Sequence, residues 1–202
     1  MLPHSHLYLG KKLSKLVEEE YKQYFILGNV TPDIALEHKI KRHEYYNLRE
    51  WFLNYIENTM SMTLGGKRMA YYRLGVISHY LADFFCYAHN NGTIGNRKYI
   101  THYYYEKALH QALFQYKFDW DQTKKISIYK LDKNLANYHA KYEEEKGEPV
   151  KDLSYINFMT AGVVHAASEY FWRSSYQSNY VPGKRLLLPE PNYFSFEERD
   201  DG

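Results

Sequence analysis

The stretch from Lys67 to His89, KRMAYYRLGVISHYLADFFCYAH, decides how this chain folds. It is the most apolar stretch with helical periodicity in the sequence, and it predicts the most buried helix of the protein. Asp83 lies among its apolar residues, with His79 one helical turn earlier. A buried carboxylate is costly unless it is paired or bound to a metal. Asp83 is therefore expected to have a specific partner.

Helical patterns continue on both sides of this stretch. They predict further helices over Leu7–Tyr24, Glu44–Met60, Asn96–Phe118, Asp132–Lys146 and Asp152–Gln177. The segment Gly28–Asp33, GNVTPD, is expected to break the helical run, because glycine, asparagine and proline mark turns. No sustained strand alternation and no internal repeat is found. The sequence therefore predicts an all-α, single-domain multi-helix bundle.

The chain length bounds the domain organisation. A chain of 202 residues fits one domain and can bury a substantial core without disulfides. We expect an all-α domain over residues 1–182. Residues 183–202, which are rich in proline and glycine and end in an acidic run, are expected to form an irregular C-terminal tail.

Composition and charge exclude some classes of protein. The formal net charge is only +2, which argues against a strongly basic nucleic-acid binder, so no stable nucleic-acid partner is expected. Cys86 is the single cysteine, so no internal disulfide can form. No secretory signal is recognised, and the uncharged stretch Leu153–Ser168 falls short of the roughly 20 apolar residues of a transmembrane segment. We therefore expect a cytoplasmic protein with no transmembrane segment.

Two histidine–carboxylate pairs carry the chemistry. His79 and Asp83 are four residues apart, as are His102 and Glu106 on the following long helix, so each pair shares one helix face. Imidazole and carboxylate groups bind Zn²⁺, and such pairs build metal sites in helical bundles. An isolated pair is usually an ordinary surface pair, and Asp83 alone would also fit a buried polar cluster. The two pairs, with His89 between them, favour a metal cluster between the helices.

The order of these residues resembles that of the zinc-dependent phospholipase C family. The shared features are Gly-Asn-Val-Thr-Pro-Asp at 28–33, a histidine-containing loop and Leu-Gly-x-x-x-His-Tyr-x-x-Asp at 74–83. His89, His102 and Glu106 follow at the matching spacing. The resemblance runs from His6 to Glu106, and the wider superfamily also holds single-strand-specific nucleases.

The resemblance implies a set of zinc ligands. Asp33, His79 and Asp83 match ligands of a first zinc, and a loop histidine, either His38 or His43, would be the fourth. We favour His43, because its separation from Asp33 is closer to the family pattern. The second zinc would be bound by His89, His102 and Glu106, and a third by His6 together with bridging Asp83.

The amino terminus departs from the family pattern. In secreted members, signal cleavage exposes a tryptophan whose amine and carbonyl complete the third site. This chain instead has Met1 five residues before His6. The Met1 amine and His4 are two alternative replacements. Two zinc ions are therefore expected, and a third is left open.

The resemblance implies a zinc-dependent hydrolase of phosphoric esters that uses a metal-activated water, with Asp33 as the proton acceptor. The expected substrate is a small-molecule or lipid phosphoric ester. Two alternatives remain: an intracellular nuclease or nucleotide phosphodiesterase, and a metal-binding protein with little or no activity. Cys86 is interpreted as core filler. His110, His139 and His165 are interpreted as packed or surface residues.

Overall fold

The fold is a bundle of α-helices, seen in a computed structural model that describes residues 1–35, 43–62, 66–90, 97–120 and 126–177. The helices are α1 (Pro3–Leu13), α2 (Lys22–Ile34), α3 (Tyr45–Ser61), α4 (Lys67–Phe84), α5 (Tyr87–Asn90), α6 (Arg97–Gln115), α7 (Leu131–Glu145) and α8 (Pro149–Gln177). Short 3-10 turns cover Ser14–Leu16, Glu19–Tyr21 and Ile128–Lys130. These ranges contain no β-strand, so the all-α prediction is confirmed.

Helix α4 lies at the centre of the bundle. Every residue from Leu74 to Phe84 is buried, as the apolar pattern predicts. The helix packs against α2, α3 and α8, and also contacts α1. In a helix that is enclosed in this way, charged side chains are costly unless they meet partners from the surrounding elements. The placement of α4 therefore sets the position of the metal-ligating residues.

The expected break at Gly28–Asp33 is wrong, because α2 runs through it to Ile34. Gly28 is needed where α2 crosses α4: a Cβ atom there would lie 1.9 Å from the Tyr72 carbonyl oxygen. Gly75 is its counterpart on α4, where a Cβ atom would lie 2.1 Å from the Phe25 oxygen. Pro32 lies in the last turn of α2, where the helix ends two residues later. Close helix packing explains these residues better than a turn does.

The predicted helix Leu7–Tyr24 is also interrupted. Helix α1 ends at Leu13, and the backbone is extended at Val17, whose side chain is buried. Glu18 then accepts hydrogen bonds from Lys67 Nζ at 2.9 Å and from the Tyr71 hydroxyl at 2.8 Å. These tertiary contacts with α4 outweigh the continuous helical pattern of the sequence.

The predicted helix Lys67–His89 ends early, at Phe84. The Cys86 N–H donates to the Asp83 carbonyl at 3.1 Å, which makes a turn, and α5 begins at Tyr87. The Tyr87 N–H donates to Asp152 Oδ2 at 2.7 Å. This carboxylate, which lies in the first turn of α8, holds the start of α5 and so moves His89 out of line with α4.

The other predicted helices are confirmed, with ends that differ by three residues or fewer. None of the described helices is both long enough and apolar enough to cross a membrane. The irregular tail expected over residues 183–202 and the boundary at residue 182 lie outside the described residues. The division into domain and tail therefore stays a prediction.

Candidate metal centre

The eight residues predicted as ligands lie in one connected cluster. They come from α1 (His6), the end of α2 (Asp33), the segment before α3 (His43), α4 (His79 and Asp83), α5 (His89) and α6 (His102 and Glu106). Residues far apart in sequence meet here because α1, α2 and α5 contact α4, and α6 contacts α5. His38, the alternative loop residue, lies outside the described residues.

Asp83 is the hub of this cluster. Its Oδ2 lies 2.7 Å from His43 Nδ1 and 3.1 Å from His79 Nε2. Its Oδ1 lies 3.1 Å from His6 Nε2 and 3.4 Å from His89 Nε2. Burial opposes ionisation of Asp83, but the positive groups around the carboxylate outweigh it and hold its pKa well below its usual range. Both carboxylate oxygens are therefore available as charged donors.

A first group of donors consists of Asp33, His43 and His79, whose ligand atoms all lie within 4.8 Å of one another. His79 Nε2 lies 3.3 Å from His43 Nδ1 and 3.9 Å from Asp33 Oδ1. His79 Nδ1 donates to the Asn29 carbonyl at 3.0 Å, which fixes the ring orientation. Nε2 is then the ring nitrogen that faces the carboxylate oxygens and is placed to bind a metal ion.

A second group is centred on Glu106. Its Oε1 lies 3.2 Å from His89 Nε2 and 3.2 Å from His102 Nε2. Burial opposes ionisation of Glu106, but the Met1 amine and the two histidines hold its pKa far below its usual range. The donor atom of Cys86 also lies within 4.8 Å of those of His89 and Glu106. The sequence places Cys86 on roughly the same side as the metal pair, three residues after Asp83, and its interpretation as core filler fits its full burial.

The amino terminus reaches the same cluster. The Met1 amine lies 2.5 Å from Asp83 Oδ1, 2.7 Å from His89 Nε2 and 2.9 Å from Glu106 Oε1. His6, His79 and Asp83 form a third group of close donor atoms, and the His6 and His79 rings stack at 3.7 Å. Of the two alternatives weighed from the sequence, the structure brings the amine to Asp83, whereas His4 is exposed and packs against His110.

The donor set fits zinc ions. Imidazole nitrogens and carboxylate oxygens bind Zn²⁺ at about 2.0–2.2 Å, so donors of one tetrahedral site lie roughly 3.3–3.6 Å apart. Several separations in both groups, between 3.1 and 3.9 Å, are near this range. Within the described part of the chain, buried Asp33 Oδ2 has no hydrogen-bond partner. An unpartnered carboxylate oxygen beside two histidines is what a metal-binding position requires.

Asp152 is a further buried carboxylate beside this centre, and no motif in the sequence marks it. Its Oδ2 accepts hydrogen bonds from the Tyr87 N–H and the Tyr105 hydroxyl, both at 2.7 Å. Burial raises its pKa to about 6, and these hydrogen bonds partly oppose that rise. Tyr87 lies two residues before His89, and Tyr105 precedes Glu106. Asp152 thus holds the backbone segments that carry two ligands of the second group.

His110 and His139 lie outside the cluster and pack against other side chains. The His139 ring is buried against Tyr45, at a centroid distance of 3.8 Å, and burial lowers its pKa to about 4. His110 Nδ1 lies 2.9 Å from Ser5 Oγ. Their placement agrees with the interpretation of these residues as packed or surface histidines.

Fold and site together define an all-α protein with a buried, histidine- and carboxylate-rich centre. A family model, that of the zinc-dependent phospholipase C, matches residues 3–153. The chain belongs to the zinc-dependent phospholipase C family. A search of curated proteins and a search of solved structures each gave no match. The family match covers every residue of the cluster except Met1.

Proposed function

We propose that this protein is a zinc-dependent hydrolase of phosphoric esters that acts on small-molecule or lipid substrates. The observation that carries the proposal is the cluster of eight ligand-type side chains that includes Asp83 and Glu106 at its two centres, within the segment that matches the family. When bound, neighbouring zinc ions would supply a water of lowered pKa and offset negative charge on phosphate oxygens.

The residues of the chain have separate tasks in this proposal. Asp33, His43, His79 and Asp83 hold the first ion, and His89, His102 and Glu106 hold the second. Asp83, with an oxygen toward each group, fixes the spacing of the two groups. His6 and the Met1 amine lie on the Asp83 Oδ1 side, where a third ion would bind.

Asp33 is the proposed proton acceptor. Its side chain is 15% exposed, whereas the Asp83 side chain is 1% exposed, so Asp33 is the carboxylate of the first group that solvent reaches. One of its oxygens lies toward His79, and the other has no hydrogen-bond partner among the described residues. A general base must lie within hydrogen-bond reach of the water that it deprotonates. Asp33 can therefore orient a water and take its proton.

Metal content is the first test. The purified protein is expected to hold about two zinc-type ions per chain without added metal, because two donor groups with zinc-type spacing are present. Elemental analysis of the dialysed protein measures this. His165→Ala, which alters a half-buried histidine of α8 outside the cluster, is the matched control and should leave the metal content unchanged. Absence of stoichiometric metal after zinc reconstitution at neutral pH would contradict the site.

Turnover is the second half of the test. The zinc-loaded protein is assayed with a phosphorylcholine ester, a simple phosphodiester and a single-stranded oligonucleotide, before and after chelation. We expect hydrolysis of at least one of the two small esters, lost on chelation and restored by zinc. Preferential cleavage of the oligonucleotide would favour the nuclease alternative. Stoichiometric metal without turnover of any substrate would leave a metal-binding protein.

A further inference from the structure

Cys86 lies where a metal ligand would lie, although it was interpreted as core filler. Its donor atom is within 4.8 Å of donor atoms of His89 and Glu106, and those of His89 and Glu106 are 3.2 Å apart. Tetrahedral zinc sites with mixed sulfur and nitrogen donors need separations of roughly 3.3–3.8 Å, given Zn–S near 2.3 Å and Zn–N near 2.0 Å. The 4.8 Å limit is wider than this range, so a bound ion would draw the sulfur closer to the other two donors.

The backbone fixes the position of Cys86 between two other ligands. The Cys86 N–H donates to the Asp83 carbonyl at 3.1 Å, and the Cys86 carbonyl accepts from the His89 N–H at 2.9 Å. The same carbonyl accepts from Asn90 Nδ2 at 3.0 Å. The turn that ends α4 and starts α5 thus fixes the backbone positions of Asp83, Cys86 and His89 relative to one another.

The surroundings of Cys86 are polar on the side of the cluster. Its side chain is fully buried, and burial, with the negative charges of Glu106 and Asp152, raises the pKa of the thiol, whereas the Met1 amine opposes that rise. A bound cation is therefore needed to hold Cys86 as a thiolate. His102, the other histidine at Glu106, has a side chain that is 29% exposed. Cys86 therefore approaches the second group from the interior, and His102 approaches it from the more solvent-exposed side.

We propose that Cys86 binds, as a thiolate, the ion that His89 and Glu106 hold. This inference rests on the proposed function, and it adds a sulfur donor to the nitrogen and oxygen donors that the sequence predicted. On binding, the S–H bond breaks, the proton passes to solvent and the sulfur lone pair forms the metal–sulfur bond. A thiolate selects Zn²⁺, Co²⁺ and Cd²⁺ over Mg²⁺ and Mn²⁺, so the second site is specific for thiophilic ions.

The test uses the absorption spectrum of the full chain loaded with Co²⁺. A cobalt–thiolate bond gives a charge-transfer band in the near ultraviolet. Cys86 is the only cysteine, so such a band can come from no other thiolate in the chain. We expect a band that saturates at about one Co²⁺ per chain, because only one of the two main donor groups includes sulfur. Two bound cobalt ions without the band would overturn the inference and leave the proposed function intact.

Cys86→Ser is the matched variant, because it changes one atom and keeps the side-chain size. It should lose the band, keep the first ion and bind the second at least about tenfold more weakly, the lower end of the loss seen when partners of metal ligands are removed. Unchanged affinity for the second ion would overturn the inference. The band is measured on the unaltered protein, so the test survives a variant that does not fold. A band without hydrolysis of any phosphoric ester would support Cys86 and reject the proposed activity.

Discussion

The two histidine–carboxylate pairs have the same spacing and different surroundings. In α4, the His79 and Asp83 side chains are 0% and 1% exposed, and the flanking residues are buried on every side. In α6, the His102 and Glu106 side chains are 29% and 9% exposed, and Tyr103 and Tyr104 between them face solvent. An i, i+4 spacing therefore predicts that a histidine and a carboxylate are neighbours. How much stability is lost when one of them is replaced depends on how deeply the bundle buries the pair.

We call His79 and Asp83 in α4 the inner pair, and His102 and Glu106 in α6 the outer pair. Metal binding and stability should depend more on the inner pair. Asp83 contacts four histidines and the Met1 amine, so removing its charge leaves several buried polar groups without a counterion. In a low-dielectric interior, an unpaired group costs more than the same group near water. Glu106 contacts two histidines and the amine, at a position closer to solvent. The two pairs should therefore respond differently to the same chemical change.

Asp83→Asn should have the largest effect of any single conservative substitution in the cluster. Asparagine keeps the size but loses the charge and one of the two oxygen donors that serve the two groups. We expect hydrolysis to fall by more than about 100-fold, the upper end of the loss seen for partners of metal ligands. The free energy of unfolding should fall by about 3–5 kcal/mol, as when one partner of a buried ion pair is removed. Zinc content, turnover and the thermal midpoint measure these changes.

Glu106→Gln is the matched change in the outer pair. It should release the second ion while the first, held by Asp33, His43, His79 and Asp83, remains. Its thermal midpoint should fall less than that of Asp83→Asn, because Glu106 lies closer to solvent. If Asp83→Asn keeps its metal and its turnover, Asp83 is a structural carboxylate and the bridging role must be abandoned.

His43→Ala tests the loop histidine that contacts Asp83. We expect a smaller loss of metal affinity and turnover than for Asp83→Asn. His43 Nδ1 lies 2.7 Å from Asp83 Oδ2, but its side chain is 11% exposed, so less buried structure depends on it. We expect the first ion to bind about 10–100-fold more weakly, with lower turnover and little loss of stability. Stepwise metal titration measures the affinity. His38→Ala is the control, and if it proves the more damaging change, the assignment of the loop ligand is wrong.

The helices could be predicted from the sequence wherever local pattern and tertiary packing agree. The apolar run of α4 predicted its burial, and the patterns of α3, α6, α7 and α8 predicted their extents within three residues. The pattern failed at Gly28, which looks like a helix breaker but serves the close crossing with Gly75. It failed again at Glu18, where contacts with Lys67 and Tyr71 outweigh the helical pattern. Both failures concern contacts between segments that are distant in sequence.

The candidate site divides in the same way. Residues spaced on one helix, such as His79 and Asp83, could be predicted from their periodicity together with the family resemblance. The position of Cys86 beside His89 and Glu106 depends on a turn that no helical pattern shows. Its spacing of three residues from both Asp83 and His89 was the available signal. Asp152 could not be found, because its role depends on α8 packing against α5 and α6.

Asp152, on α8, stabilises the segments that carry His89 and Glu106. It accepts hydrogen bonds from Tyr87 and Tyr105, which adjoin the segments that carry His89 and Glu106. Burial raises its pKa from 3.8 to about 6, so the folded protein binds a proton that the unfolded chain releases between these pH values. That contribution to stability is present below about pH 4 and is lost as the pH rises through 6. Its full size is about 3 kcal/mol, at 1.36 kcal/mol per pKa unit.

Asp152→Asn should remove this pH dependence with the smallest effect on activity, because the amide oxygen can still accept both hydrogen bonds. We expect the free energy of unfolding of the variant minus that of the unaltered protein to rise by about 2–3 kcal/mol between pH 4 and 7, because only the unaltered protein loses this contribution. Urea denaturation of the chelated proteins measures it, and titrations shared by both proteins cancel in the difference. Asp132→Asn, which alters a carboxylate that is 58% exposed beside Arg49, should change the corresponding difference by less than about 1 kcal/mol. If this difference in free energy of unfolding does not change with pH for Asp152→Asn, folding does not raise the pKa of Asp152. The hydrogen bonds from Tyr87 and Tyr105 would then be accepted by a carboxylate that is ionised in both the folded and the unfolded chain.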